Sequence, residues 1–524
     1  MKRLLLLTAL LMLAGIAAAQ RPIVPDTATA GQNRVDEVMK LIDGNYTEAP
    51  DMDKLSTEAI NAMLKALDPH SVYIAAKDVE RANEPLQGNF EGVGISFQIV
   101  SDTIVVQSVI EGGPSEKVGV EIGDKLINID GIPATGDSAK NDFVFRHLRG
   151  KKGTEVVVDI MRQGTVYTFH IIRDKIPIYS IDTYFMADDT IGYIRLTRFA
   201  RTSGDEFRKA LHSLRKQGMK ALVLDLRGNT GGFLDIACQL ANEFLERGQL
   251  IVYQEGRKTP RQNFHANGRG NFKSGRLVVL IDEGSASASE IVSGAVQDWD
   301  RGTVIGRRSY GKGLVQRMMP LADGGQIRLT TARYFTPSGR CIQRPYDDGT
   351  DVYRQDVNNR YRHGELVNAD SIHFADSLKY TTAHGRTVYG GGGIMPDIFV
   401  PMDTMRLTDY YISLRGKGLL NSFPMQWTNA HRRDREVRDF ETYLANYDSF
   451  GLDSLLTAAA IEKGVVRDTA KEAAEPERTA HSDRYMRLML KAQVARNLFG
   501  IEYYYKVMKE IDDGYQRAVE ELRK

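Results

Sequence analysis

"RLVVLIDEGSASASE" (Arg276–Glu290) drives an apolar run into an acidic turn and then alternates serine with alanine. A short, wholly apolar run bounded by turn residues predicts a strand buried on both faces, and the residues after it, 286–298, carry helical spacing. The unit is strand, loop, helix, with the loop at the carboxyl end of the strand. The same arrangement occurs upstream, where "KALVLDL" (Lys220–Leu226) is the strand, "DLRGNTGG" (Asp225–Gly232) the loop and 233–247 the helix. "TIGYIRLTRF" (Thr190–Phe199) adds a strand, 204–217 an amphipathic helix, and 303–334 two further strands. Strands alternating with helices require crossover connections, so a largely parallel sheet covered on both faces is expected. In such sheets ligand sites gather beyond the carboxyl ends of the strands, which singles out the two loops.

A single serine at the first turn of a helix is explained as a cap for orphan N–H groups. Three exceed what a cap requires. The intervening alanines admit a substrate backbone, and the helix N-terminus favours a developing oxyanion. A hydroxyl nucleophile also requires a base. No G-x-S-x-G elbow is present. An S-x-x-K match, Ser213 to Lys216, joins "KSG" at 273–275 in resembling penicillin-recognising enzymes, but no serine lies between them. That match therefore reads as an exposed helix face. The better base is Lys312 in "RRSYGKGLVQ" (Arg307–Gln316), with a glycine on each side and no carboxylate adjacent in sequence. Glycines allow close approach to a packed site, where burial lowers a lysine pKa; the bland alternative is a solvated loop lysine.

Outside this region the texture changes. Residues 32–67 read as helices ending at "LDPHSVYI" (Leu67–Ile74), where Pro69 stops the second one. Short β-type runs separated by glycine, proline and aspartate turns fill 89–175 and predict one small β-rich module. A polar insertion, 346–386, precedes "GGGG" at 390–393, and from 404 onward the chain is charged and helical, with a patch at 465–480 that reads as a linker. With 69 Lys+Arg against 68 Asp+Glu the net charge is near zero, which gives no pointer to nucleic acid or to a membrane surface. "MKRLLLLTALLMLAGIAAAQ" (Met1–Gln20) has the layout of a cleaved secretory signal, with an uncleaved anchor as the alternative. Export, to the periplasm, is the expectation. The ten histidines are scattered, so no metal site is expected, and Cys238, in an apolar helical pattern, reads as a buried thiol, a bridge to Cys341 remaining open.

"SASASEI", then Lys312 25 positions after Ser287 within "YGKGLVQ", resembles the carboxyl-terminal processing peptidases, or tail-specific proteases. "DLRGNTGG", "ARYFTPSGRCIQ" (332–343), "GGIMPDIFV" (392–400) and "LDPHSVYI" carry the same resemblance, which covers about residues 33–403. It implies an α/β core of ClpP/crotonase-like type, an inserted β-rich PDZ domain, and helical N- and C-terminal regions. The divisions expected are a signal peptide at 1–19, a helical region at 20–88, the PDZ domain at 89–175, the protease domain at 176–403 and a C-terminal helical region at 404–524. By the resemblance Ser287 is the nucleophile, Lys312 the general base and Gln316 the residue that orients it. Backbone amides of Gly231, Gly232 and Ala288 form the oxyanion hole, Ser285 and Ser289 are cap or packing residues, and Thr230 stands where the family usually has proline. "EGVGISF" (Glu91–Phe97) looks like a PDZ carboxylate loop, with Gly92, Val93, Gly94 and Ile95 supplying amides and Val93, Ile95 and Phe97 favouring an apolar last side chain.

The expected function is that of an exported Ser-Lys endopeptidase that needs no cofactor or metal and acts on proteins with free, apolar C-termini. A homo-oligomer or an adaptor contact is a further expectation. The alternative is a non-catalytic PDZ scaffold or chaperone for exposed C-termini.

Overall fold

The computed structural model describes residues 30–100 and 102–524; the expected signal peptide lies outside the described residues. The chain divides into two compact units, one reaching to Ala66 and the other running from Leu67 to Lys524. In the first, helices Ala30–Asn45 and Met52–Lys65 form as their apolar spacing predicts, the second capped by the Asp51 carboxylate accepting from Lys54 N–H. Among the described residues no helix is long and apolar enough to cross a membrane.

The second unit is built around a six-stranded sheet in the order Ile181–Met186, Ile191–Leu196, Ala221–Asp225, Arg276–Ile281, Thr303–Gly306, Ile398–Phe399. All neighbours are parallel except the first pair, so an antiparallel edge strand closes one side. Successive side chains alternate between the two faces. Leu222, Leu224, Val279 and Ile281 face helices Ser203–Lys216, Leu234–Asn242 and Ala288–Asp298. Val223, Val278 and Leu280 face the last helix, Asp513–Arg523, through Tyr515, Ala518, Val519 and Leu522. Both faces are therefore covered, the second by the far end of the chain.

A second, antiparallel sheet joins Val72–Ile74, Gln326–Phe335, Leu250–Gly256 and Thr259–His265, with Leu314–Pro320 also paired to Gln326–Phe335. The region expected to hold two strands, 303–334, thus contributes to both sheets, and "VYI", beyond the stop at Pro69, forms a short strand paired with Gln326–Arg328. The β-rich module forms its own sheet, Ile95–Val100, Thr103–Val109, Lys125–Ile129, Glu155–Arg162 and Thr165–Ile172, with helix Asn141–Leu148 packed on a core of Ile104, Val106, Leu126, Val156 and Ile160. Within residues 465–480, expected as a linker, 469–474 and 476–480 are instead helical, in Thr469–Ala474 and the start of Pro476–Phe499. The segment's charges pair across the fold: Arg467 meets Glu472 and Asp483, and Asp468 caps the first helix.

Candidate active site

Strand Arg276–Ile281 is buried at five of its six residues, and the chain leaves it through an acidic turn stitched to the neighbouring loop. Ser285 Oγ donates to Leu226 O (2.8 Å), and Ser289 Oγ donates to Asn229 O (2.8 Å). These two serines are spent on joining "DEGSASASE" to "DLRGNTGG". Ser287, between them, begins helix Ala288–Asp298 with φ 55° and ψ −110°, a backbone conformation that side-chain-bearing residues rarely adopt. The turn is held from several sides: Ser287 N–H donates to Glu290 Oε2 (2.7 Å), and its carbonyl accepts from the amides of Glu290 and Ile291 and from Tyr334 Oη.

Glu290 is the centre of this arrangement. It is fully buried, yet both carboxylate oxygens are occupied: Oε1 accepts from Ser309 Oγ (2.6 Å) and Gly311 N–H (2.7 Å), and Oε2 from Ser287 N–H and Lys312 N–H (3.0 Å). Tyr334 Oη adds a second tie between the carbonyls of Ser287 and Lys312, at 3.0 and 2.6 Å. Burial pushes the Glu290 carboxyl up to about 7 even though four donors favour its charged form. Its position three residues into the helix, glutamate after a serine N-cap, is a capping-box signal in the sequence. The two donors it takes from the lysine loop have no such signal.

Lys312 lies in a loop pinned by Ser309, which donates to Ile394 O and accepts Ile394 N–H, and by Gly313 N–H on Gln343 Oε1. Burial lowers the Lys312 ammonium pKa and Arg328 adds to the fall, while Glu290 and Asp68 oppose it. Lys312 Nζ makes no hydrogen bond or ion pair among the described residues. "LDPHSVYI" packs close by. Asp68 accepts from His70 N–H, Ser71 N–H and Ser71 Oγ, and His70 Nε2 lies 2.8 Å from Tyr353 Oη of the polar insertion. Burial, with Lys312 facing it, brings the His70 imidazole down to about 4.

Ser287, Lys312, Gln316, Gly231, Gly232 and Ala288 line one cavity of about 410 Å³. Its apolar walls come from Phe233, Ile291, Leu314 and Met318, among others. Gln316 faces it but donates to Thr330 Oγ1 (3.1 Å), with no bond to Lys312 among the described residues. The Gly231 amide, expected to face an oxyanion, donates to Asn229 Oδ1 (2.9 Å), whereas the amides of Gly232 and Ala288 make no hydrogen bond among the described residues. Gly231 has φ 103°, and a Cβ there would lie 2.9 Å from Ser287 Cβ; a Cβ on Gly232 would meet Phe199 O at 2.1 Å. Both glycines are therefore dictated by close approach. Thr230 lines the same cavity. Ser213 and Lys216, on helix Ser203–Lys216, lie outside it.

In the β-rich module Val93, Gly94, Ile95 and Phe97 line a small apolar pocket with Phe90, Val144 and Leu148. Gly92 pairs instead with Asp174. Arg149, at the rim, stacks on Phe90 and Phe145 and pairs with Glu84. Both cysteines are free, and burial pushes the Cys238 thiol up to about 12. Among the described residues no group of three or more His, Cys, Asp or Glu side chains gathers as a metal site.

Comparison with known proteins gives these features a context. The sequence models of peptidase family S41, of the PDZ domain and of a family of unknown function match residues 190–351, 92–172 and 410–500 respectively. A probable CtpA-like serine protease of Staphylococcus aureus is 33% identical over 318 residues, 60% of this chain and 63% of that protein. The chain thus spans less than two thirds of that relative. A carboxy-terminal-processing protease of Bartonella bacilliformis is 33% identical over 397 residues, 75% of this chain and 90% of that protein. Among solved structures, the photosystem II D1 C-terminal processing protease is 25% identical, covering 72% of this chain and 95% of that one with a TM-score of 0.37.

Proposed function

Since the chain belongs to peptidase family S41 and is similar along most of its length to a carboxy-terminal-processing protease, we propose that it is a serine endopeptidase of the Ser-Lys type that processes or degrades proteins from their C-termini. The observation that carries this reading is the meeting, in one cavity, of a serine on a strained helix-start turn and a half-buried lysine whose amine has no partner among the described residues.

Neutral Lys312 accepts the proton of Ser287 Oγ as that oxygen attacks the scissile carbonyl carbon. The tetrahedral oxyanion is met by the unoccupied amides of Gly232 and Ala288. Lys312 then gives its proton to the leaving amine as the C–N bond breaks, and returns as base for the water that releases the acyl group from Ser287. Gln316, four residues on from the base and lining the same cavity, positions Lys312.

The pocket at Val93–Phe97 takes the substrate's terminal carboxylate on the amides of Val93 and Gly94, with an apolar last side chain against Phe97, Val144 and Leu148. The N-terminal pattern supports export to the periplasm, and the helical ends supply the surface for self-association or for an adaptor.

The test incubates the full chain with an unfolded protein ending in apolar residues and with a C-terminally amidated copy. Ser287→Ala and Lys312→Arg are each expected to lower turnover by at least about 10⁴-fold, because arginine does not deprotonate at workable pH. The amidated copy is expected to be cut more slowly. Parent-like turnover in Lys312→Arg would remove the lysine from its role, and equal cutting of both copies would remove carboxylate capture.

A further inference from the structure

The catalytic cavity carries two cationic side chains, Lys312 and Arg328, and no acidic one. Lys312 acts as a base only when neutral, which leaves Arg328 as the permanent charge of the site. Its strand, Gln326–Phe335, pairs with Leu314–Pro320 in a register that sets Arg328 opposite Met318 and Thr330 opposite Gln316. Arg328 is therefore one step beyond Gln316 on the cavity face, roughly 7 Å further along the strand. Nη2 is fixed by Ala82 O (2.8 Å) and Asn83 Oδ1 (2.9 Å) of helix Ala76–Gln87. Nε is buried without a partner, and the guanidinium forms no ion pair among the described residues. Burial alone depresses its pKa, with no carboxylate contributing.

A half-buried guanidinium with one nitrogen bonded, another buried and bare, and no counter-ion is a costly arrangement that an arriving carboxylate relieves. A sphere of the cavity's volume, about 410 Å³, would be roughly 9 Å across, room for two to three extended residues at about 3.3 Å each. A group seated on Arg328 therefore belongs to a residue close to the cut. We propose that Arg328 is a specificity-determining residue that receives a carboxylate of the peptide substrate, so that the enzyme selects an acidic group within a few residues of the scissile bond. The proposal rests on the peptidase reading and extends it to the chemistry of the chain being cut. It is separate from the capture of a terminus in the Val93–Phe97 pocket, which lies in another part of the unit.

The test uses short unstructured peptides in matched pairs, Asp against Asn or Glu against Gln, scanned through the positions flanking the cut. Each pair is made with a free and with an amidated C-terminus. For the full chain the acid member is expected to have a kcat/KM about ten- to a hundredfold higher, carried by KM. In Arg328→Gln the ratio falls to near one, in Arg328→Lys most of it survives, and in Arg328→Glu it turns in favour of lysine-bearing peptides. A purely structural role for Arg328, as a tie to Ala82 and Asn83, would lower both members equally and leave the ratio unchanged. A ratio that tracks the side-chain arm identifies an acidic residue as the ligand; one that tracks the free-terminus arm identifies the terminal carboxylate. The same ratio is read as binding to Ser287→Ala, with and without Arg328→Gln, by fluorescence anisotropy. A chain that cuts no peptide refutes the peptidase reading while the binding ratio still decides this proposal. An acid-to-amide ratio near one in the parent, or one unchanged by Arg328→Gln, overturns it.

Discussion

Glu290 holds the Ser287 turn and the Lys312 loop with one carboxylate, and its stereochemistry leaves no room for an isostere. Each oxygen accepts two donors, so in Glu290→Gln the amide NH₂ faces either Ser287 and Lys312 N–H or Ser309 Oγ and Gly311 N–H. The expected loss is about 1–3 kcal/mol of stability, from buried donors left unsatisfied. Turnover is expected to fall roughly a hundredfold, from displacement of the reacting groups. Denaturant titration and kcat read the two effects. The sign of the pH effect follows from burial. A carboxyl raised from 4.5 to about 7 holds a proton in the folded state that the unfolded state has released. Its contribution to stability therefore declines as pH rises through that window, and this negative slope in Tm is absent from the variant. Under the proposed mechanism activity runs the other way: Lys312 acts neutral and Glu290 ionised, so kcat/KM is expected to rise with pH as Glu290 titrates near 7. The family resemblance singled out Ser287 and Lys312 in the sequence; Glu290 was passed over, although its place three residues after a serine N-cap is a capping-box signal. The sequence concealed Tyr334 and the second half of the Glu290 clamp, because both join segments that meet only after the two sheets have formed.

Among the elements, the buried parallel strands were readable because a strand covered on both faces is apolar along its buried run, and "ALVL" (221–224) and "LVVLI" (277–281) are. Val72–Ile74 was not, since three residues carry no periodicity and their pairing with Gln326–Arg328 spans some 250 positions. The charged C-terminal region was ambiguous for a related reason: its composition suits solvent until Arg467 finds Asp483 and Arg227 finds Asp512. That last pair gives the final helix a definite place. Arg227 bonds both Asp512 oxygens at 2.7 Å and also bonds buried Asp225, at the end of the strand that feeds the Gly231–Gly232 loop. Arg227 and Arg195 hold the Asp225 carboxyl well below the usual range. Helix Asp513–Arg523 then covers the sheet with Tyr515, Ala518, Val519 and Leu522. Leu522→Ala is expected to cost about 2–3 kcal/mol, because the sheet face cannot collapse into the space. Equilibrium unfolding measures it; a variant as stable as the parent would mean that the helix is not part of the core.

At the scale of the molecule a net charge of +1 offers no long-range field, so communication between the Val93–Phe97 pocket and the Ser287–Lys312 cavity must run through contacts. Helix Ala76–Gln87 is the element that touches both. Glu84 pairs with Arg149 at the rim of the pocket, Ala82 and Asn83 hold Arg328, and Leu86 lines the catalytic cavity while its carbonyl accepts from Arg201 N–H (2.9 Å). The order of modules was visible in the change of texture along the sequence. This helix was not marked out, because its charged residues find their partners on other modules. Glu84 is mostly buried and Arg149 about a third exposed, with side-chain exposures of 14% and 30%. Their pairing is therefore worth about 1 kcal/mol after screening. Glu84→Gln keeps the shape and removes the charge. Amide exchange across 78–88 is then expected to quicken about fivefold, while helix Ala288–Asp298, buried along its whole length, keeps its protection. The same variant leaves Arg328 bonded to Ala82 and Asn83, so any selectivity for acidic peptides should persist. Unchanged exchange in 78–88 would show that the helix is held by its catalytic-side contacts alone, and that the Glu84–Arg149 pair does not couple the two sites.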